Sequence, residues 1–223
     1  MRRKTILTRG ETYHIFSRSI ANFKIFNNDD DYVRMLYLIK YFQINNPPTK
    51  FSYFIELKQV QQFGFLNYLD SIAKDQANIV QIIAYCLMPT HLHLILKQLS
   101  PTGISEFMGN ALNGYSRYFN TKYKRKGPLW ESKFQNVKVE NDEQLIHLTR
   151  YLHLNPVTAR LIERPQDWQY SSYKEYIDDV DHRFCQYDDL LTIKPKDYRK
   201  FVMDRKSYQR ELAIIKKQLI DQS

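Results

Sequence analysis

Cysteine, glycine and proline are all scarce in this chain of 223 residues, which holds two Cys, six Gly and eight Pro. Cys86 and Cys185 are too few for a disulfide framework and too far apart for a zinc ribbon, which points to a reducing, cytoplasmic setting. So little Gly and Pro excludes collagen-like and low-complexity chains. Nowhere is there a run of the roughly 18 apolar residues that a membrane span needs. The basic start Met1-Arg2-Arg3-Lys4 has no apolar signal core behind it, so a soluble protein with no membrane partner is expected. Internal repeats are also lacking.

Aromatic residues and positive charge are plentiful. Seventeen Tyr and 13 Phe accompany 33 Lys+Arg against 24 Asp+Glu, a net charge of +9. The charge favours a polyanionic partner through counterion release. Rings beside cations can stack on unpaired bases, which suits single-stranded nucleic acid better than a closed duplex. Many basic soluble proteins bind no nucleic acid, and most of these tyrosines must serve the core, so a specific constellation is needed.

Hydrophobic period orders the chain. Residues 11–20 read as a strand, and Asp29-Asp30-Asp31 open a helix that ends near Ile44 before Asn45-Asn46-Pro47-Pro48. Residues 45–78 read as an insertion, with 51–60 as a strand and 63–77 as a short helix. Residues 79–88 and 91–98 form two strands about the Pro89-Thr90 turn. A long helix over 105–123 and a strand over 133–140 follow. Asn141 caps a further helix that should stop near Leu154, because Pro156 disfavours helix at Asn155 and would open a short helix of its own. An amphipathic helix is expected over 198–221. This order predicts an α+β, ferredoxin-like sandwich over 1–176, its mainly antiparallel sheet covered by helices, with a basic helical extension over 177–223.

His91-Leu92-His93 carries the chemistry. Alternation in a strand would put both imidazoles on one face and Leu92, Leu94 and Leu96 on the other. Two such imidazoles are half of a divalent-metal site. On the helix from Asn141, His147, Tyr151 and Asn155 lie four apart on one stripe. A phenol facing the histidine pair can attack a phosphodiester while a metal polarises a nonbridging oxygen. Asn155 is the nearest third ligand, and an oxygen-rich remainder suits Mg²⁺ or Mn²⁺. Arg117, Lys122, Lys124, Arg125 and Lys126, with Trp130 and Lys133, are candidates to hold DNA. His147 and His153 read as surface residues or residues behind the site, and His14 could approach the metal.

Several segments resemble the single-tyrosine HUH transposases, most closely their REP-associated branch. Pro89-Thr90-His91-Leu92-His93-Leu94-Ile95-Leu96 is similar to the His-hydrophobic-His motif, and Tyr151-Leu152-His153-Leu154-Asn155-Pro156-Val157 to the tyrosine helix. Gly127-Pro128-Leu129-Trp130-Glu131-Ser132-Lys133-Phe134, Trp168-Gln169-Tyr170-Ser171-Ser172-Tyr173 and Tyr13-His14-Ile15-Phe16-Ser17-Arg18 resemble three further segments. The resemblance implies Tyr151 as nucleophile, His91 and His93 as metal ligands with Asn155 as the third, and a single-stranded or hairpin DNA substrate. It further implies a 5′-phosphotyrosine intermediate, and it leaves room for a homodimer. Residues 45–78 and 177–223 depart from the common pattern. Two rivals remain from the residues alone: an inactive relative that only binds hairpin DNA, and a phosphoesterase whose metal activates water.

Overall fold

Four strands build the sheet in the computed structural model, which describes residues 6–74, 76–178, 180 and 183–204. They are β1 (Thr12–Arg18), β2 (Val80–Met88), β3 (His91–Gln98) and β4 (Gln135–Lys138), in the order β2-β3-β1-β4, each pair antiparallel. Helix α1 (Asp29–Phe42) links β1 to β2, and α5 (Gly103–Lys122) links β3 to β4. This is the βαββαβ order of a ferredoxin-like sandwich, as the hydrophobic periods predict.

The hairpin of β2 and β3 forms where the apolar run is longest, and β2 is buried along its whole length. Pairing of Phe16 with His93 and of Arg18 with His91 fixes which side chains share a face. Helices α1 and α5 pack together on the face of Leu92, Leu94 and Leu96. Gly114 permits their approach, because a Cβ there would lie 2.9 Å from Leu38 Cδ2. Gly103 is equally constrained, since its Cβ would fall 2.1 Å from the Ile79 carbonyl oxygen.

One buried charge joins the two helices. Asp31, at 0% exposure, accepts hydrogen bonds from Lys122 Nζ (2.8 Å), Tyr118 OH (2.9 Å), Tyr123 OH (2.7 Å) and the Asn27 backbone N–H (2.9 Å). Burial alone would raise its carboxyl, but these donors outweigh it and hold the pKa below the usual carboxylate value.

The structure corrects the sequence at two places. Residues 51–60 form no strand: the insertion folds as three short helices, α2 (Phe51–Phe54), α3 (Lys58–Phe63) and α4 (Phe65–Ala73). Phe51, Phe54, Phe65 and Leu69 bury their side chains at helical spacing. Gly64, at φ +82°, makes the break between α3 and α4. The second correction concerns α6 (Asp142–Thr158), which runs through Pro156 without interruption. Proline forgoes one hydrogen bond there, yet its ring is buried and the Ala159 N–H still reaches the Asn155 carbonyl at 2.9 Å.

The chain after α6 returns to the outer edge of β2. Leu87 N–H donates to Tyr170 O (2.9 Å), Ser172 N–H to Tyr85 O (3.0 Å) and Gln186 N–H to Ile82 O (2.8 Å). After the short α7 (Tyr173–Tyr176), α8 (Pro195–Met203) packs on α6. Of the helix expected over 198–221, the described part ends at Met203, and residues 205–223 lie outside the described residues.

Candidate active site

Alternation along β3 sends His91 and His93 to the face that α6 covers, and β1 adds His14, Phe16 and Arg18 to the same face. The rings of His91 and His93 are 5.0 Å apart between centroids and perpendicular. Tyr151, on α6, sets its ring edge-on to both His93 (5.9 Å) and His14 (6.3 Å). Phenol and paired imidazoles, 58 and 60 residues apart in sequence, thus meet on one side of the sheet.

Hydrogen bonds orient the imidazoles. His93 Nδ1 and His14 Nε2 share one at 3.0 Å, and His91 Nδ1 shares another with Thr90 Oγ1 at 2.9 Å. Both histidines therefore turn Nε2 away from these partners, the arrangement that fixes the tautomer of a metal-binding histidine. Burial lowers His14 to about 3, and burial followed by the nearby Arg18 charge lowers His91 to about 4. Burial, then the His91, His14 and Arg18 charges, depresses His93 as well. All three rings are neutral near pH 7, with lone pairs to offer.

Among the described residues no cluster of three or more His, Cys, Asp or Glu side chains is placed to hold a metal ion. An ion here would take two imidazole nitrogens and complete its coordination with oxygens. Asn155, one turn beyond Tyr151 on the same half-exposed stripe of α6, has a buried Nδ2 with no hydrogen-bond partner. That Nδ2 is a donor left for an acceptor outside the protein, and a cation would be met by the amide Oδ1 instead. Two imidazole nitrogens with one amide oxygen are a donor set that fits a divalent cation of mixed nitrogen and oxygen preference.

The other candidates are dispersed. Lys122 is occupied by Asp31 and, at 3.8 Å, by Asp30. Arg125 folds onto its own loop, donating to Pro128 O (2.8 Å) and Gly127 O (3.3 Å). Trp130 donates from Nε1 to Leu112 O (3.1 Å) and is half-buried against the core. Its backbone bridges to Ser19, which brings the loop beside the His91 end of the sheet. Arg117, Lys124, Lys126 and Lys133 are exposed. His153 is no surface residue: it is fully buried, bonded to Tyr198 OH (2.6 Å) and Ser172 Oγ (2.8 Å). His147 is half-buried near Phe201.

Arg18 was missed by sequence reasoning. It is exposed and opposite His91, a cation at the edge of the site, and the strand pairing that places it there has no signature in the sequence.

A family model for IS200-like transposases matches residues 55–155, a stretch that holds His91, His93, Tyr151 and Asn155. A REP-associated tyrosine transposase of Haemophilus influenzae is 26% identical over 104 residues, 42% of this chain and 58% of that protein. In sequence the chain is similar to IS200-like and REP-associated tyrosine transposases. It spans a little over half the length of that curated relative. A solved structure of a REP-associated tyrosine transposase bound to a REP hairpin covers 86% of this chain and 98% of its own, with a TM-score of 0.52 and 13% identity. At that identity the likeness is one of fold. The family match stops short of His14, which the fold brings to the site.

Proposed function

We propose that this chain cuts and rejoins single-stranded or hairpin DNA through Tyr151, with Mg²⁺ or Mn²⁺ held by His91, His93 and Asn155. The meeting of the Tyr151 ring with those of His93 and His14 carries the reading. Kinship with the transposases supports the reaction class, and the hairpin in the neighbouring structure supports the substrate.

The phenol oxygen of Tyr151 attacks the phosphorus of a phosphodiester. A bond from phosphorus to the tyrosine oxygen forms as the bond from phosphorus to the 3′-oxygen breaks. The released 3′-oxygen takes up a proton from solvent to replace the one lost by the phenol. One ester is made for each one broken, so no nucleotide cofactor is required, and a second 3′-hydroxyl can reverse the step. When bound, the cation would polarise a nonbridging oxygen and offset the charge that develops on the phosphate. His14 holds His93 in register for that task, and Arg18 offers the phosphate a fixed positive charge. Lys124, Lys126 and Lys133 contribute sequence-independent phosphate contacts.

The test is incubation with single-stranded and hairpin oligonucleotides and Mn²⁺, followed by denaturing electrophoresis. A covalent adduct should form and should vanish in Tyr151→Phe while the melting temperature stays within about 2 °C, as expected for loss of one hydroxyl from a half-exposed residue. Scission that persists in Tyr151→Phe would assign the chemistry to activated water. Binding without any scission by the unaltered chain would leave only a DNA-binding relative.

A further inference from the structure

On the helical side of the molecule, away from the histidines, α1, α5 and the start of the insertion enclose a cleft of about 770 Å³. Its cations are Arg34 from α1, Lys50 from the loop before α2, and Arg117 and Lys122 from α5. Lys122 is neutralised by Asp31, but Arg34, Lys50 and Arg117 form no ion pair among the described residues. Among the described residues no carboxylate lines the cleft, and Glu56 is the acid whose charge reaches Arg34. The cleft is therefore electropositive for a reason local to it, beyond the excess charge of the whole chain.

Arg34 is the most constrained of the three. Its guanidinium lies 4.6 Å from the centre of the Phe51 ring and 5.0 Å from that of Tyr118, and its Nε is enclosed with no hydrogen-bond partner. Two aromatic faces thus hold the planar cation in place without consuming its donors. Asn110 and Asn113 line the opposite wall with amides, and Phe42 adds an aromatic surface. Fixed guanidinium, free cations, amides and aromatic rings together are the set that binds a nucleotide: charge for the phosphate, amide for a base edge, ring for a base face.

We infer that this cleft is a second nucleic-acid site, taking an unpaired stretch of the same strand that reaches Tyr151 on the other side of the sheet. This rests on the proposed function for the identity of the strand. Because Lys50 and Phe51 belong to the insertion, the additional residues between α1 and β2 complete the site. The enzyme would hold its substrate at two places, one where the chain is cut and one where it is retained.

The test uses the full chain carrying Tyr151→Phe, so that binding is read without cleavage, and a fluorescein-labelled 12-mer of thymidine followed by anisotropy over a range of salt. Lys50→Glu with Arg117→Glu changes two exposed side chains and should weaken binding about tenfold or more. It should also flatten the slope of log affinity against log salt by about 1.4, the value for two lost single-strand contacts. The matched change Lys196→Glu with Lys200→Glu on α8 should do much less. Arg34→Gln should weaken binding too, with its melting temperature recorded to separate loss of fold from loss of contact. Unchanged affinity and slope in the Lys50/Arg117 variant would overturn the site. So would thymidine monophosphate or inorganic phosphate competing as well, mole for mole, as unlabelled 12-mer. Adduct formation by the chain with Tyr151 intact is scored separately. Loss of binding in the variant without any adduct would retain the cleft and refute the cleavage, and an adduct with normal binding in the variant would do the reverse.

Discussion

The two faces of the sheet are made from the same strands and do different work. On one, Leu92, Leu94 and Leu96 pack beneath α1 and α5 among aromatic rings, with Asp31 as the one buried carboxylate that ties the helices together. On the other, His14, His91 and His93 lie beneath α6, their nitrogens directed by single hydrogen bonds and their charge suppressed by burial. A period of two is what allows this: each strand residue belongs wholly to packing or wholly to the site. The apolar face fixes the strands, and fixed strands hold the imidazoles where Tyr151 can meet them.

If that separation is correct, damage to the leucine face should cost stability and spare the chemistry. Leu94→Ala should destabilise the fold by about 3 kcal/mol, read from the urea midpoint, while adduct yield per folded molecule stays near the unaltered level. Loss of the adduct in a folded Leu94→Ala protein would show the faces to be coupled. A slightly smaller effect, about 2–3 kcal/mol in thermal melts, is expected for Lys122→Met, which leaves the Asp31 carboxylate buried with only neutral donors. An unchanged melting temperature with weaker DNA binding would return this lysine to the DNA contacts that its sequence position suggests.

The histidine face should respond to acid. His14 and His153 have pKa values lowered by burial to about 3, beneath the ordinary 6.5, so the unfolded chain binds more protons between those values. The stability they contribute is complete above pH 6.5 and is lost as pH falls towards 3, about 2 kcal/mol for each by pH 5. Melting temperatures from pH 7 to 5 measure the loss, and His153→Gln should reduce its steepness. A flat profile for the unaltered protein would mean that these rings titrate freely.

Much of this was legible in advance, for physical reasons. The hairpin of β2 and β3 declares itself because its apolar run is long and is broken once, at Pro89-Thr90. Tyr151 and Asn155 fall on one stripe of α6 because four residues make about one turn. What failed depended on tertiary pairing or on packing that overrides local preference. The sequence allowed His14 to approach the metal, but no spacing within 11–20 shows that it will face His93, since that follows from the register of β1 on β3. The stop expected at Pro156 weighed a lost hydrogen bond but not the burial of its ring. His153 could have been recognised: it lies four residues after Thr149 and one after Leu152, on the inward stripe of its helix. The insertion misled because a short run of aromatics fits a strand and a helix equally well.

The cover over β2 has a consequence for how this molecule is made and cut down. Nine consecutive residues from Val80 to Met88 are entirely sequestered, and their outer rim is closed by backbone from Tyr170, Ser172 and Gln186, which leaves the ribosome some eighty residues or more later. Until then an apolar ribbon has one side open to any neighbouring chain. A fragment trimmed to the family-matched 55–155 would hold His91, His93, Tyr151 and Asn155 and still emerge as a template for clumping, because the polypeptide that silences that rim lies beyond it.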